Sequence, residues 1–195
     1  MIAAIVLAAG RSERMGRPKA LLPFRGRTFL ENILASVSKA SIEHTVVVLG
    51  GYREQIERTI PLAAAVFNAD YEQGMITSFQ TGIRALPPGS AGAVLFLVDN
   101  PLVQPVTTDA LVERFQANRI IIPTFQGRRG HPVLFASEIL EEILALPSSV
   151  GANTILARDP ARVIEVPLNA PEVLADIDTP EQYQELLEGD FSGGG

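Results

Sequence analysis

At 195 residues, 47% of them hydrophobic and 19% charged, the chain has material for one substantial core and is too short for two comfortable ones. It has no cysteine and two histidines, which excludes disulfides, thiolate metal sites, cysteine nucleophiles and histidine-rich zinc sites. The net charge of −6 argues against a general nucleic-acid binder; yet six of the 16 basic residues (Arg11, Arg14, Arg17, Lys19, Arg25 and Arg27) crowd the first 27 positions against Glu13 alone, a local bias that suits a small polyanionic ligand.

The chain opens on a continuously apolar run, Ile2 to Leu7, as expected of a strand buried on both faces. The run ends at Gly10 and lacks a basic flank, so neither a signal peptide nor a membrane span is expected, and a cytoplasmic location is the default. Thr28 to Lys39 has helical spacing. Thr45 to Leu49 reads as a strand, Tyr52 to Ile60 as a helix and Ala64 to Phe67 as a short strand. A helix is expected over Gln73 to Leu86, a buried strand over Ala93 to Val98, a helix over Thr107 to Ala117 and a strand over Ile120 to Pro123. A polar, glycine-containing stretch leads into a strand at His131 to Phe135, a helix at Ser137 to Leu146 and a short helix at Asn153 to Arg158. Short strands are expected at Val163 to Pro167 and Leu174 to Ile177. Thr179 is then the cap of a last helix ending at Glu188, with Pro180 at its first position and Gln182 completing a capping box.

This alternation implies a single domain over residues 1–190, a Rossmann-like three-layer αβα sandwich with a mostly parallel sheet, followed by a disordered tail at 191–195. Ligands of such sheets bind at the carboxyl ends of the strands, so the loops after Leu7, Phe67 and Val98 should converge on one crevice.

The loop after the first strand carries the strongest chemical signal. Ala8, Ala9 and Gly10 are small enough for the backbone to approach a ligand, and successive amides in such a turn make an anion-binding nest. Arg14 and Lys19 can add charge-assisted contacts to phosphate oxygens. Neither a P-loop nor a G-x-G-x-x-G string is present. Asp99 follows a buried strand and precedes Asn100-Pro101, well placed for a hard cation, although an aspartate in a turn before proline is common on its own. In Asp176-Ile177-Asp178, an extended backbone would put both carboxylates on one face. Helix capping accounts for Asp178 but not for Asp176, so Asp176 is the favoured second ligand and Asp178 the alternative.

The string from Leu7 through Ala8-Ala9-Gly10, Ser12, Arg14-Met15-Gly16 and Pro18-Lys19, with Leu21 to Phe24 and Gly26, resembles the signature of MobA-like nucleotidyltransferases, and most of all their molybdenum cofactor cytidylyltransferases. The resemblance runs through nearly the whole chain in separated motifs. It implies a nucleoside triphosphate site with Mg²⁺ as cofactor and a pterin phosphate, molybdopterin, as acceptor. The residues matching the catalytic positions are Lys19, Arg14 and Asp99, and Asp99 and Asp176 match the metal positions. Nucleotide contacts are expected from Leu7, Ala8, Ala9, Gly10, Arg11, Arg14, Lys19, Gly74 and Ser78. The segment from Asn68 to Ser78 lacks the G-P-L-A-G string of guanylyl-specific relatives, which favours CTP. Asn100 stands where the family often has glutamine. The element Arg128-Arg129-Gly130-His131-Pro132 matches the acceptor side, so Arg128, Arg129 and His131 are candidate substrate contacts, against a solvated basic turn and a structural histidine. The alternatives are guanylyl transfer, transfer to a sugar or polyol phosphate, or a non-catalytic cofactor-binding chaperone of molybdoenzymes. A client molybdoenzyme or its chaperone is the expected protein partner, with no nucleic acid and no membrane.

Overall fold

The computed structural model describes residues 1–151 and 153–189; the tail expected at 191–195 lies outside them. The first strand, β1 (Ile2–Ala8), is buried at every position and sits at the centre of an eight-stranded sheet. β4 (His44–Leu49) and then β5 (Ala65–Phe67) extend the sheet on one side of it, both in parallel register. β6 (Gly92–Leu97) lies parallel on the other side. Beyond it come β9 (Val133–Ala136), β7 (Ile120–Phe125) and β10 (Val163–Pro167). Within this path only β9 runs against the others. Because the chain leaves β1 toward β4 and returns on its far side at β6, the strand order reverses at β1. Such a reversal opens a crevice at the carboxyl end of the sheet.

The alternation of side chains along β1 explains the layers. Ile5 and Leu7 face one core, which α3 (Met75–Arg84), α5 (Ser137–Leu144) and α6 (Asn153–Arg158) complete with Phe79, Ile143 and Ile155. Ala4 and Val6 face the opposite core, closed by α1 (Phe29–Val37), α2 (Arg53–Thr59) and α4 (Pro105–Val112) through Ile33, Ile56 and Leu111. The expected three-layer α/β architecture with a mostly parallel sheet is therefore present. Among the described residues no helix is long and apolar enough to cross a membrane.

Two local features differ from the sequence reading. No strand forms at Leu174 to Ile177. Pro171–Leu174 is a 3-10 turn, and its backbone bonds go sideways: the Val173 carbonyl accepts from His131 N (2.8 Å), and Ile177 N donates to the Asp99 carbonyl (3.0 Å). Second, Pro23–Phe24 (β2) and Arg27–Thr28 (β3) form a minimal hairpin. Its two-residue loop needs positive φ at both positions, and Arg25 (51°) and Gly26 (77°) supply it.

A third, smaller core fixes the site. Met15, Leu22, Phe24 and Phe29 pack with Ile177 and with Tyr183 and Leu186 of α7 (Pro180–Glu188). The Tyr183 hydroxyl also donates to the Pro23 carbonyl at 2.7 Å. Burial of Met15 and Ile177 in one cluster brings the N-terminal loop against the segment that carries Asp176 and Asp178.

Candidate functional site

The loops after β1, β5 and β6 do converge. They line a crevice of about 470 Å³, within the range of small-molecule and cofactor sites. Leu7, Ala8, Ala9, Gly10, Arg11, Arg14 and Lys19 all line it, together with Ser78, Asp99 and Asp178. Gly74 and Asp176 stand beside these residues in the chain and outside the lining itself.

The loop's shape follows from its residues. Ser12 and Gly16 adopt positive φ on either side of a 3-10 turn at Glu13–Met15, and the Ser12 hydroxyl accepts from Lys19 N at 3.1 Å. This bond closes the loop and points Lys19 back into the crevice. Gly50, at the end of β4, makes the fit possible: a Cβ there would lie 2.4 Å from the Ala9 carbonyl oxygen. Across the crevice, Asn68 is buried and locks the next segment. Its Nδ2 donates to Thr77 Oγ1 and Ser78 Oγ, both at 2.9 Å, while its Oδ1 accepts from Asp70 N at 3.0 Å. Gly74 enters α3 at φ 116°, a conformation that side-chain-bearing residues rarely adopt.

Asp99, from the middle of the chain, comes together with Asp176 and Asp178 from near its end, each offering one oxygen within 4.8 Å of the others. The Ile177 N to Asp99 carbonyl bond and the burial of Ile177 hold them there. Lys19 Nζ bonds Asp178 Oδ1 and lies 3.7 Å from Asp99 Oδ2; Arg14 bonds Asp178 Oδ2. Helix capping does not explain Asp178. Gln182 Oε1 accepts from both Asp178 N (2.8 Å) and Thr179 N (3.0 Å), which leaves the Asp178 side chain to the crevice. Burial pushes the Asp99 carboxyl up to about 6, with Asp176 and Asp178 adding to the rise and Lys19 opposing it. Burial and then Asp178 raise Asp176. Burial would raise Asp178 too, but Lys19 and Arg14 together bring it below its ordinary value.

The expected acceptor residues lie outside the crevice lining. Arg128 and Arg129 form β8, a short strand folded back on β7, and Arg129 pairs with Glu165 at 2.8 Å. His131 is turned inward. Its buried Nδ1 has no hydrogen-bond partner among the described residues, and burial lowers its pKa to about 4. Gly130 presses on the Val173 carbonyl, where a Cβ would approach to 2.2 Å, so this turn abuts the 171–174 turn that leads to Asp176.

A prediction follows from His131. The unfolded chain takes up a proton there near pH 6.5, whereas the folded chain keeps the ring neutral down to about pH 4. Stability is unaffected above pH 6.5 and falls as the pH drops toward 4, by up to about 3 kcal/mol. Urea unfolding at pH 7 and pH 4.5 should show a smaller loss for His131→Leu than for the parent, and equal losses would contradict this assignment.

Sequence reasoning missed the lining residues Tyr52, just before α2, and Ile56 within it, and from the segment Asn68 to Ser78 it named Gly74 and Ser78 but not Tyr71 and Glu72. Their only sequence signal is position, at or near the start of the element after a strand. Arg11 bonds Glu72 and stacks over Tyr71 at 5.8 Å, so this rim is already joined to the phosphate-type loop.

Comparison with known proteins agrees with this geometry. Residues 4–163 match the model of the MobA-like NTP transferase domain. The nicotine blue oxidoreductase of Paenarthrobacter nicotinovorans is 28% identical, over 95% of this chain and 96% of its own. The molybdenum cofactor cytidylyltransferase of Escherichia coli K12 is also 28% identical, over 92% of each. Among solved structures, Rv0371c of Mycobacterium tuberculosis superposes with a TM-score of 0.86 at 30% identity, over 96% of this chain and 97% of that one. A manganese complex of the same protein superposes at 0.81 and 28% identity, over 96% and 98%. With its strand order, its glycine-containing loop and its crevice in place, the chain belongs to the MobA-like NTP transferase family and is a nucleotidyltransferase of that family.

Proposed function

We propose that this chain is a magnesium-dependent cytidylyltransferase that transfers CMP from CTP to the phosphate of molybdopterin and releases pyrophosphate. The observation that carries this reading is the meeting of Lys19 and Arg14 with Asp99, Asp176 and Asp178 at the mouth of one nucleotide-sized crevice. The carboxylates offer only oxygen, the donor set of a hard cation such as Mg²⁺, which relies on substrate phosphates and water for its remaining ligands. Bound there, the cation supplies charge neutralisation on the phosphate chain.

The chain's own residues do the rest. The backbone at Ala8 to Gly10 approaches the triphosphate, and Lys19 and Arg14 stabilise the charge that develops as the bond from the α-phosphorus to the bridging oxygen breaks. The acceptor phosphate is already anionic near neutral pH, so no general base is required. Arg128 and Arg129 receive the acceptor from the rim, and His131 acts by supporting that turn from within. In this reading the product passes to a client molybdoenzyme or its chaperone in the cytoplasm.

Support for CTP comes from the segment Gly74 to Ser78, which Asn68 holds in place and which lacks the guanylyl-type string. The cytidylyltransferase from Escherichia coli points the same way. The name of the Paenarthrobacter relative supports a second reading, an oxidoreductase. Thermal unfolding separates them. With Mg²⁺ and CTP at a hundredfold excess over Kd, stabilisation of about 2.7 kcal/mol should raise Tm by about 5 to 10 °C. A larger rise with GTP moves the chain to guanylyl transfer, and a rise with a nicotinamide dinucleotide but none with CTP moves it to the second reading.

A further inference from the structure

We propose, building on the nucleotidyl-transfer reading above, that Lys19 and Arg14 form an electrostatic latch: in the ligand-free protein they hold the carboxylates that receive the divalent cation, and only the triphosphate draws them off.

Both oxygens of Asp178 are taken, Oδ1 by Lys19 Nζ and Oδ2 by the Arg14 guanidinium. The same ammonium lies 3.7 Å from Asp99 Oδ2, so it sits between two of the three carboxylates. The Lys19 side chain is only 11% exposed, and the Asp178 side chain 21%. An ion pair this withdrawn from water is poorly screened, and an incoming cation must compete with it directly. A divalent cation among the three oxygens would meet the lysine ammonium as a like charge at close range.

Lys19 and Arg14 also line the crevice in which the triphosphate is placed. Every N–H given to Asp178 is one withheld from the phosphates. The exchange is therefore reciprocal. Phosphate oxygens replace Asp178 as the partners of Lys19 and Arg14, and the released carboxylates take the cation. No charge is left buried and unpaired before or after the swap. Arg11 repeats the arrangement on the opposite rim, where Glu72 holds it. Linkage requires that whatever tightening the nucleotide gives the cation, the cation gives the nucleotide.

This makes a prediction of unusual sign: removing a lysine from the site should tighten cation binding. The test is a Mn²⁺ titration of the full chain read by electron paramagnetic resonance, with no acceptor present. The parent should bind Mn²⁺ weakly alone and at least about tenfold more tightly with CTP. Lys19→Ala should bind Mn²⁺ alone about tenfold more tightly than the parent and gain much less from CTP. Asp178→Asn, which removes the anchor, gives a second readout should Lys19→Ala fold poorly: in EDTA it should bind CTP more tightly than the parent. If Lys19→Ala binds Mn²⁺ no better than the parent, or Asp178→Asn binds metal-free CTP no better, the latch is overturned and the transferase reading stands. If the parent binds neither Mn²⁺ nor CTP under any of these conditions, the transferase reading falls and the latch falls with it.

Discussion

Lys19→Ala is expected to lower turnover by about 10²- to 10³-fold, equivalent to about 2.7 to 4 kcal/mol of transition-state stabilisation. The scale is that of losing one fixed electrostatic contact to developing charge in a site withdrawn from water. Lys19 qualifies because its backbone is closed onto Ser12 and its nearly enclosed side chain lines the crevice, within a side-chain movement of the phosphates once Asp178 gives it up. A purely structural lysine, serving only to pair with Asp178, would give a different pattern: lower stability with kcat nearly unchanged. Single-turnover rates at saturating CTP, alongside urea unfolding, separate the two. Lys19→Arg restores charge but not the compact geometry, and should recover only part of the loss.

The second large effect belongs to the carboxylates. Asp99→Asn and Asp176→Ala should each reduce Mg²⁺-dependent activity by about 10²-fold or more, and the double variant should be little worse than the poorer single one. Non-additivity of this kind arises when residues act through one shared ion. The geometric condition for sharing is met, since the three acidic side chains offer oxygens within 4.8 Å. Raising the Mg²⁺ concentration should partly rescue each single variant. Losses that simply multiply, without rescue, would return Asp176 to a role in holding the 171–178 segment.

Much of this was legible from the sequence because it rests on local pattern. A buried apolar run ending in Ala8-Ala9-Gly10 specifies a central strand and a close-approach loop, and the apolar run before Asp99 places that carboxylate at a strand end. Thr179, Pro180 and Gln182 announced the last helix, whose capping box is formed as expected. What the sequence concealed depends on contacts between distant residues. Asp178 looked like a cap because a cap was needed nearby, yet Gln182 covers both backbone amides and frees that side chain. The extended look of Leu174 to Ile177 was real in composition, but Ala175 N bonds the Glu172 carbonyl and Ile177 N the Asp99 carbonyl, so no ladder forms. Tyr71 lines the crevice with its ring packed close to Gly50, where a Cβ would lie 2.8 Å from it, a packing fact with no sequence periodicity. The placement of Arg128 and Arg129 likewise depends on a two-residue strand folded back on the end of β7, too short to leave a pattern.

The most direct test is a transfer assay with purified protein, Mg²⁺, molybdopterin and CTP labelled at the α-phosphate. The account predicts label in the pterin product with an equal amount of pyrophosphate, abolished by Lys19→Ala together with Asp99→Asn and much weaker when GTP replaces CTP. Absence of both labelled pterin and pyrophosphate, from a folded protein supplied with CTP or GTP, would contradict it.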